Sequence, residues 1–214
     1  GRSHAITVDE KISFKKIKSN DLYCEYSCSG TPVDCVKLAI NKLLHEKPDL
    51  CISGINHGAN YSISTLYSAT VHAAIEGTIS GVNSFAISHL NYSNRVDMSS
   101  FQDFLIVLIN YFLKNKIEQD VTLNINLPDI SYGKTKGIKL CRQGKGKWIE
   151  KITKSNKKNE CIISGHFEAE DKSDDTDIWA LENSYISMVP IKIDMTNYDY
   201  IKNNKIIEHD FKKG

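Results

Sequence analysis

The sequence predicts an α/β fold: a mostly parallel sheet with helices on both faces, followed by a β-hairpin extension and a tail. Three observations predict it. Strand-like and helix-like runs alternate through the first 127 residues. The strand-like runs after Pro48 are short and continuously apolar, the pattern of parallel strands covered on both faces by helices. After Pro128 the pattern changes to ribbons separated by Lys- and Asn-rich turns.

The elements justify themselves in order. KISFKKI (Lys11 to Ile17) and DLYCEYSC (Asp21 to Cys28) interleave polar and apolar residues as strands do. In TPVDCVKLAINKLL, Val33, Val36, Ile40 and Leu43 recur at helical spacing, and Pro32 suits a first helical turn. DLCIS (Asp49 to Ser53) is a short apolar strand. LYSATVHAAIEGTIS is an Ala-rich helix opened by Ser68, and its small residues Ala69, Ala73 and Ala74 would let it lie close to the sheet. SFAIS (Ser84 to Ser88) is a further strand. Phe101, Phe104, Leu105, Leu108, Ile109 and Phe112 form an amphipathic helical stripe, and TLNINL (Thr122 to Leu127) is a strand again. Beyond Pro128, Ile138 to Gln143, Trp148 to Thr153 and Cys161 to Phe167 read as antiparallel ribbons. A helix (Thr176 to Asn183) and a strand (Tyr185 to Pro190) follow. The expected organisation is therefore a core over 1–127, a β-rich extension over 128–170, a returning helix and strand over 171–196, and a tail over 197–214. That tail carries only Ile201, Ile206, Ile207 and Phe211 as apolar anchors.

Composition narrows the class. The 214 residues are 41% hydrophobic and 25% charged, enough to bury one ordinary core. A formal net charge of +1 supplies no global field toward nucleic acid or membrane. No apolar run approaches the roughly 20 residues of a membrane helix. No signal peptide is visible, and the opening GRSHAITV reads as the middle of a fold. Six scattered cysteines (24, 28, 35, 51, 141 and 161) contain no C-x-x-C pair and sit mostly among apolar residues. They read as reduced, buried thiols of a cytoplasmic protein.

The chemistry concentrates where the strand beginning at Asp49 ends. In PDLCISGINHGAN the apolar run stops on Gly54, Asn56 and Gly58. Ligands of open α/β sheets bind beyond the carboxyl ends of the strands. An asparagine there offers a hard carbonyl oxygen to Mg2+ or Mn2+ and an NH2 donor to phosphate. It equally offers a plain Asx turn out of a strand. Ser68 and Thr70 open the next helix, whose N-terminus presents unpaired N–H groups and the positive end of a dipole to an anion. Ser68 also reads simply as an N-cap.

Four blocks, SGTPVDCVKLAI, PDLCISGINHGAN, LYSATVHAAIEGTISGV and DTDIWALENSYISMVPIKIDMT, together resemble the survival protein SurE family in content, order and spacing over about Ser3 to Thr196. The resemblance implies a Rossmann-like core and a metal-dependent hydrolase of nucleoside 5'-monophosphates, with one divalent cation, Mg2+ or Mn2+. 3'-Nucleotidase and exopolyphosphatase activity stay open. It implies Asn56 as a metal ligand, Ser68 and Thr70 at the phosphate, and Asn60 near the substrate. Ala69 stands where the family usually has Gly, and His57 is a neighbour. The family's remaining metal ligands, two aspartates of an Asn-Asp-Asp-Gly strand and a serine, would precede Gly1. The expectation is a sequence missing its N-terminal part, the alternative an inactive remnant, and the catalytic aspartates are left unassigned here. The family also implies a homodimer or homotetramer that exchanges C-terminal segments.

Two features invite other readings. Asp174 to Asp177 (DDTD) reads as a helix N-cap with acid in its first turn rather than a metal site. The basic segment 139–158, with Arg142, Lys145, Lys147 and Trp148, reads as a solvated hairpin. Its rival is a non-catalytic nucleotide- or nucleic-acid-binding module, which the overall charge does not favour.

Overall fold

The computed structural model describes residues 2–92, 98–130 and 134–204. Ile206, Ile207 and Phe211 of the tail lie outside the described residues.

Strands β1 (Phe14–Ser19) and β2 (Cys24–Cys28) pair antiparallel as a separate ribbon. Helix α1 (Pro32–Leu38) opens with Pro at its first turn and a reciprocal cap. Asp34 N donates to Thr31 Oγ1 (3.1 Å) while Thr31 N donates to Asp34 Oδ2 (2.8 Å), which satisfies two orphan donors at once. Thr7 adds donations from its N (2.9 Å) and Oγ1 (2.6 Å) to the same carboxylate. Burial pushes the Asp34 carboxyl up, but these hydrogen bonds outweigh it and hold it below its ordinary value. The helix continues as a wider turn over Ala39–Leu43.

Then follow β3 (Leu50–His57), α2 (Ala69–Ile79), β4 (Asn83–His89), α3 (Gln102–Lys114), β5 (Val121–Leu127) and β6 (Ile138–Leu140). The described residues continue with β7 (Gly146–Lys154), β8 (Cys161–Ala169), α4 (Asp177–Glu182), β9 (Ile186–Lys192) and α5 (Tyr198–Asn203). The central sheet runs β3-β4-β5-β9-β6. Its β3–β4, β4–β5 and β6–β9 pairs are parallel, and β5–β9 is antiparallel. Among the described residues β3 is an edge strand, and Ile52 and Ile55 on it are 41% and 39% exposed.

Helices cover both faces, as the sequence predicts. Phe85 and Ile87 of β4 turn to one face and pack with Phe101, Leu108, Ile125 and Leu127, the α3 side. Ala86 between them turns to the other face and packs with Val71 and Ala74 of α2. Each fully buried side chain of the Phe85 cluster contributes about 1.5–3 kcal/mol. Small residues bring α2 close: a Cβ on Gly77 would strike Ser84 and Cys51. Residues 138–143 depart from expectation. The strand β6 joins the central sheet beside β9 instead of forming a ribbon, because Cys141 N donates to Met188 O (2.9 Å) and its thiol packs with Ala180 and Val189. The expectation of buried thiols is also corrected. All six are free, but only Cys141 is fully buried. Cys24, Cys35 and Cys161 are exposed, two of them on ribbons that cover little.

Candidate functional site

Strand β3 ends in a register shift. Gly54 faces Ile87 and Asn56 faces Ser88, so Ile55 is extra and the chain bulges just before the asparagine. Gly54 holds φ at 118°, and a Cβ on it would strike the Ile87 carbonyl oxygen. Only glycine permits this close crossing, which turns Asn56 toward the end of the sheet.

Asn56 then builds its own loop. Its Nδ2 donates to His57 O (3.0 Å) and Gly58 O (2.8 Å), and its Oδ1 accepts from Asn60 Nδ2 (3.1 Å). One lone pair of that oxygen remains for a further donor or ligand. Asn60 is held on three sides. Its Nδ2 also donates to Ser88 Oγ (2.7 Å), its N donates to Asn126 Oδ1 (2.7 Å), and its carbonyl accepts from Asn124 Nδ2 (2.7 Å) and Thr65 Oγ1 (3.0 Å). Ser88, Asn124 and Asn126 are fully buried, so this polar web is closed to water on the sheet side. These three residues were not singled out by sequence reasoning. The available signal was the alternation T-L-N-I-N-L, in which Thr122, Asn124 and Asn126 share one face of an otherwise apolar strand.

Helix α2 delivers the second half of the site. Ser68 is its N-cap: Oγ accepts from Val71 N (3.1 Å), and Ser68 O accepts from His72 N (3.1 Å). The N–H groups of Ala69 and Thr70 precede that first intrahelical bond and belong to the unpaired helix start. His72 Nδ1 lies 2.7 Å from Ser68 O and donates to it. Burial pushes the His72 imidazole below its ordinary value, against the pull of that bond. One turn on, the buried Glu76 carboxylate accepts from Lys37 Nζ (2.6 Å) and His4 Nε2 (2.9 Å). Burial pushes Glu76 up, but Lys37 and then His4 outweigh it and hold it below its ordinary value. His4, ahead of β1, is thus tied to α2.

All four sequence-predicted residues, Asn56, Asn60, Ser68 and Thr70, line one cavity of about 380 Å³, with Tyr67, Tyr92 and Trp148 among its walls. His57 lines it as well. A Cβ on Gly58 (φ 91°) would strike the Tyr92 ring. Among the described residues none of those lining the cavity is Lys or Arg, and the helix start and neutral amides and hydroxyls are the donors they offer an anion.

The chemistry of the donor set bears on a cation. Asn56 Oδ1 is one hard oxygen, and Mg2+ or Mn2+ takes several. Among the described residues no group of three His, Cys, Asp or Glu is placed to hold a metal. These residues alone therefore do not compose the ion's site, and no chemical step is drawn through it. The DDTD run is not a cluster either. Thr176 caps α4, while Asp177 is buried and accepts from Ser62 N (2.9 Å), Gly144 N (2.8 Å) and Ile178 N (2.9 Å). Asp175 and Asp171 bind Arg142 (2.8 and 2.7 Å), and Lys147 pairs with Glu170 (2.7 Å).

Comparison with known proteins identifies the family. The family model described as Survival protein SurE matches residues 1–150. The chain is similar to the 5'-nucleotidase SurE of Flavobacterium johnsoniae, 46% identical over 197 residues, which are 90% of this chain and 76% of the relative. It is similar to the 5'-nucleotidase SurE of Flavobacterium psychrophilum, 44% identical over 203 residues, 93% and 79% of the two chains. Its fold matches the crystal structure of the SurE protein from Aquifex aeolicus with a TM-score of 0.79 and 34% identity, over 96% of this chain and 83% of the other.

Proposed function

The chain belongs to the survival protein SurE family, and from that premise we propose that it is a phosphomonoesterase hydrolysing nucleoside 5'-monophosphates. The observation that carries the reading is the convergence of Asn56, Asn60, Ser68 and Thr70 on one cavity at the carboxyl ends of parallel strands. The start of α2 binds the phosphate through the Ala69 and Thr70 N–H groups and the Thr70 hydroxyl. These donors meet the phosphoryl oxygens over which charge spreads in the transition state. Ser68 Oγ accepts from Val71 N and so fixes the helix start, while its O–H proton remains free to donate to the phosphate. Asn56, locked by Asn60 and by its own loop carbonyls, presents one oriented amide oxygen and needs no reorganisation during the reaction. Residues 1–127 are read as the core that carries this site, and 128–170 as its cover.

A divalent cation, Mg2+ or Mn2+, is part of the reading on the family's account. When bound it would polarise the phosphoryl group and acidify a water. Asn56 is the residue assigned to it. No nucleophile or general base is assigned among the described residues. Six free thiols favour the cytoplasm. Exposed apolar side chains on the ribbon β7–β8 and on α5, among them Ile152, Ile163 and Ile201, favour a homodimer or homotetramer. No helix of the described residues is long and apolar enough to cross a membrane.

Release of inorganic phosphate tests the reading. With the family's remaining metal ligands in place, the protein is expected to release phosphate from 5'-GMP and 5'-AMP with Mn2+ or Mg2+ and to lose the activity in EDTA, whereas Asn56 as a lone ligand is expected to support no turnover. Parallel assays on 3'-AMP and on polyphosphate define its range. No release from any nucleoside monophosphate under these conditions, with tight and steeply salt-dependent DNA or RNA binding instead, would replace the enzyme with the nucleic-acid module.

A further inference from the structure

A second cavity, of about 560 Å³, adjoins the first and shares two of its walls, Tyr67 and Trp148. Its other walls come from the ribbon: Glu150, Ile163, Ser164 and Gly165. The ladder explains its shape. Trp148, Glu150 and Ile152 share one face of β7, and opposite them on β8 stand Phe167, Gly165 and Ile163. Gly165 lets the strands approach closely, since a Cβ there would strike Ile149 O, and a notch lined by Glu150, Ile163, Ser164 and Gly165 lies beside this contact. Phe167 leans the other way: its ring packs edge-on to Tyr61 (centroids 5.1 Å apart), and a Cβ on Gly146 would strike it. Neighbours on one face of a strand are about 6.8 Å apart, room for one flat ring between them.

We infer that this notch is the nucleobase subsite, with Trp148 and Tyr67 as stacking surfaces and Glu150 reading the edge of the base. The inference rests on the phosphomonoesterase reading only in that it starts from a phosphate seated at the α2 N-terminus. From there the ribose passes between Tyr67 and Trp148, the residues common to both cavities. Aromatic faces hold any base, purines over the larger area. The carboxylate discriminates, because it can only accept. Guanine offers N1–H and N2–H side by side, the paired donors a carboxylate takes in bidentate fashion. Adenine and cytosine set a ring-nitrogen acceptor beside their amino group, and uracil flanks its N–H with two carbonyls. The structure therefore favours guanine nucleotides.

The chain has two tryptophans, Trp148 and Trp179. Trp179 stacks on Tyr185 away from this cavity, so Trp179→Phe keeps a ring there and leaves Trp148 as the sole tryptophan, excited selectively at the red edge of the absorption band. In that background GMP is expected to quench the emission and to bind about tenfold more tightly than ribose 5-phosphate, which lacks the base. Glu150→Gln is expected to bring GMP and AMP to equal affinity. Equal affinities for GMP and ribose 5-phosphate with no quenching would overturn the subsite, and an unchanged GMP preference in Glu150→Gln would overturn the role of Glu150. Phosphate release from the same samples keeps the two readings apart. With the family's metal ligands in place, quenching without release supports the subsite and refutes the catalytic reading, whereas release without quenching refutes the subsite alone.

Discussion

The end of the central sheet and the ribbon β7–β8 face each other across Tyr67 and Trp148, and they are held by opposite means. At the sheet end, buried amides and hydroxyls satisfy one another, and Asn124, Asn126 and Ser88 have no exposed surface. A buried donor or acceptor without a partner costs about 1–3 kcal/mol, so each side chain has one acceptable place. The ribbon is held by its backbone ladder from Gly146–Ala169 to Lys154–Cys161, while Ile152 and Ile163 stand 69% and 70% exposed. It is fastened at its root, where buried Asp177 grips Ser62 N and Gly144 N and where Phe167 meets Tyr61. The difference teaches a division of labour. The Asn56 end of the cavity is preset by buried polar side chains, and the far wall is a projecting ribbon whose face is free to differ.

The sharpest way to break this comparison is to remove a large side chain from each region. Phe85→Ala, in the fully buried cluster beneath β4, should cost about 3–5 kcal/mol in urea unfolding. A loss under 1 kcal/mol would mean that the sheet is no more tightly packed than the ribbon.

A pH titration separates the regions next. His72 and Glu76 of α2 both sit below their ordinary values of 6.5 and 4.5, His72 through burial and Glu76 through Lys37 and His4 prevailing over burial. In each case the unfolded chain takes up the proton first. Stability is therefore present above the ordinary value and is lost as the pH falls through the folded one. Thermal melting should weaken from below pH 6.5 and again below pH 4.5, and Glu76→Gln should flatten the lower step. A melting temperature constant from pH 7 to pH 4 would show that this buried cluster does not anchor α2. At the small end, Ile152→Ser on the ribbon should change stability by no more than about 0.5 kcal/mol. A larger loss in the monomer would reveal packing that the exposed face does not show.

The sheet region was the more legible of the two in the sequence. Continuous apolar runs and the i, i+3, i+4 stripe mark β3, β4, β5 and α3, and Pro32 and Ser68 mark helix starts to the residue. The strand β6 was misplaced because three residues, Ile-Lys-Leu, alternate as a ribbon does, and only its partner β9 reveals the parallel pairing. Asn56, Asn60, Ser68 and Thr70 were visible because glycine and a helix start punctuate their loops. Ser88, Asn124 and Asn126 were not, since strand reading attends to apolar positions and the web they form spans distant segments. Trp148 reads only as part of a basic stretch, because its neighbour Tyr67 comes from the turn before α2, far away in sequence.

The oriented amide of Asn56 is central to the proposed reaction, and the turnover of Asn56→Ala on GMP beside the parent protein tests it most directly. Losing one preorganised group that meets developing charge should lower kcat by about 10². Melting temperature should stay close to the parent's, because Asn56 is only half-buried and its bonds lie within its own loop. An unchanged kcat with unchanged metal dependence would contradict the account and leave Asn56 as the turn that ends a strand.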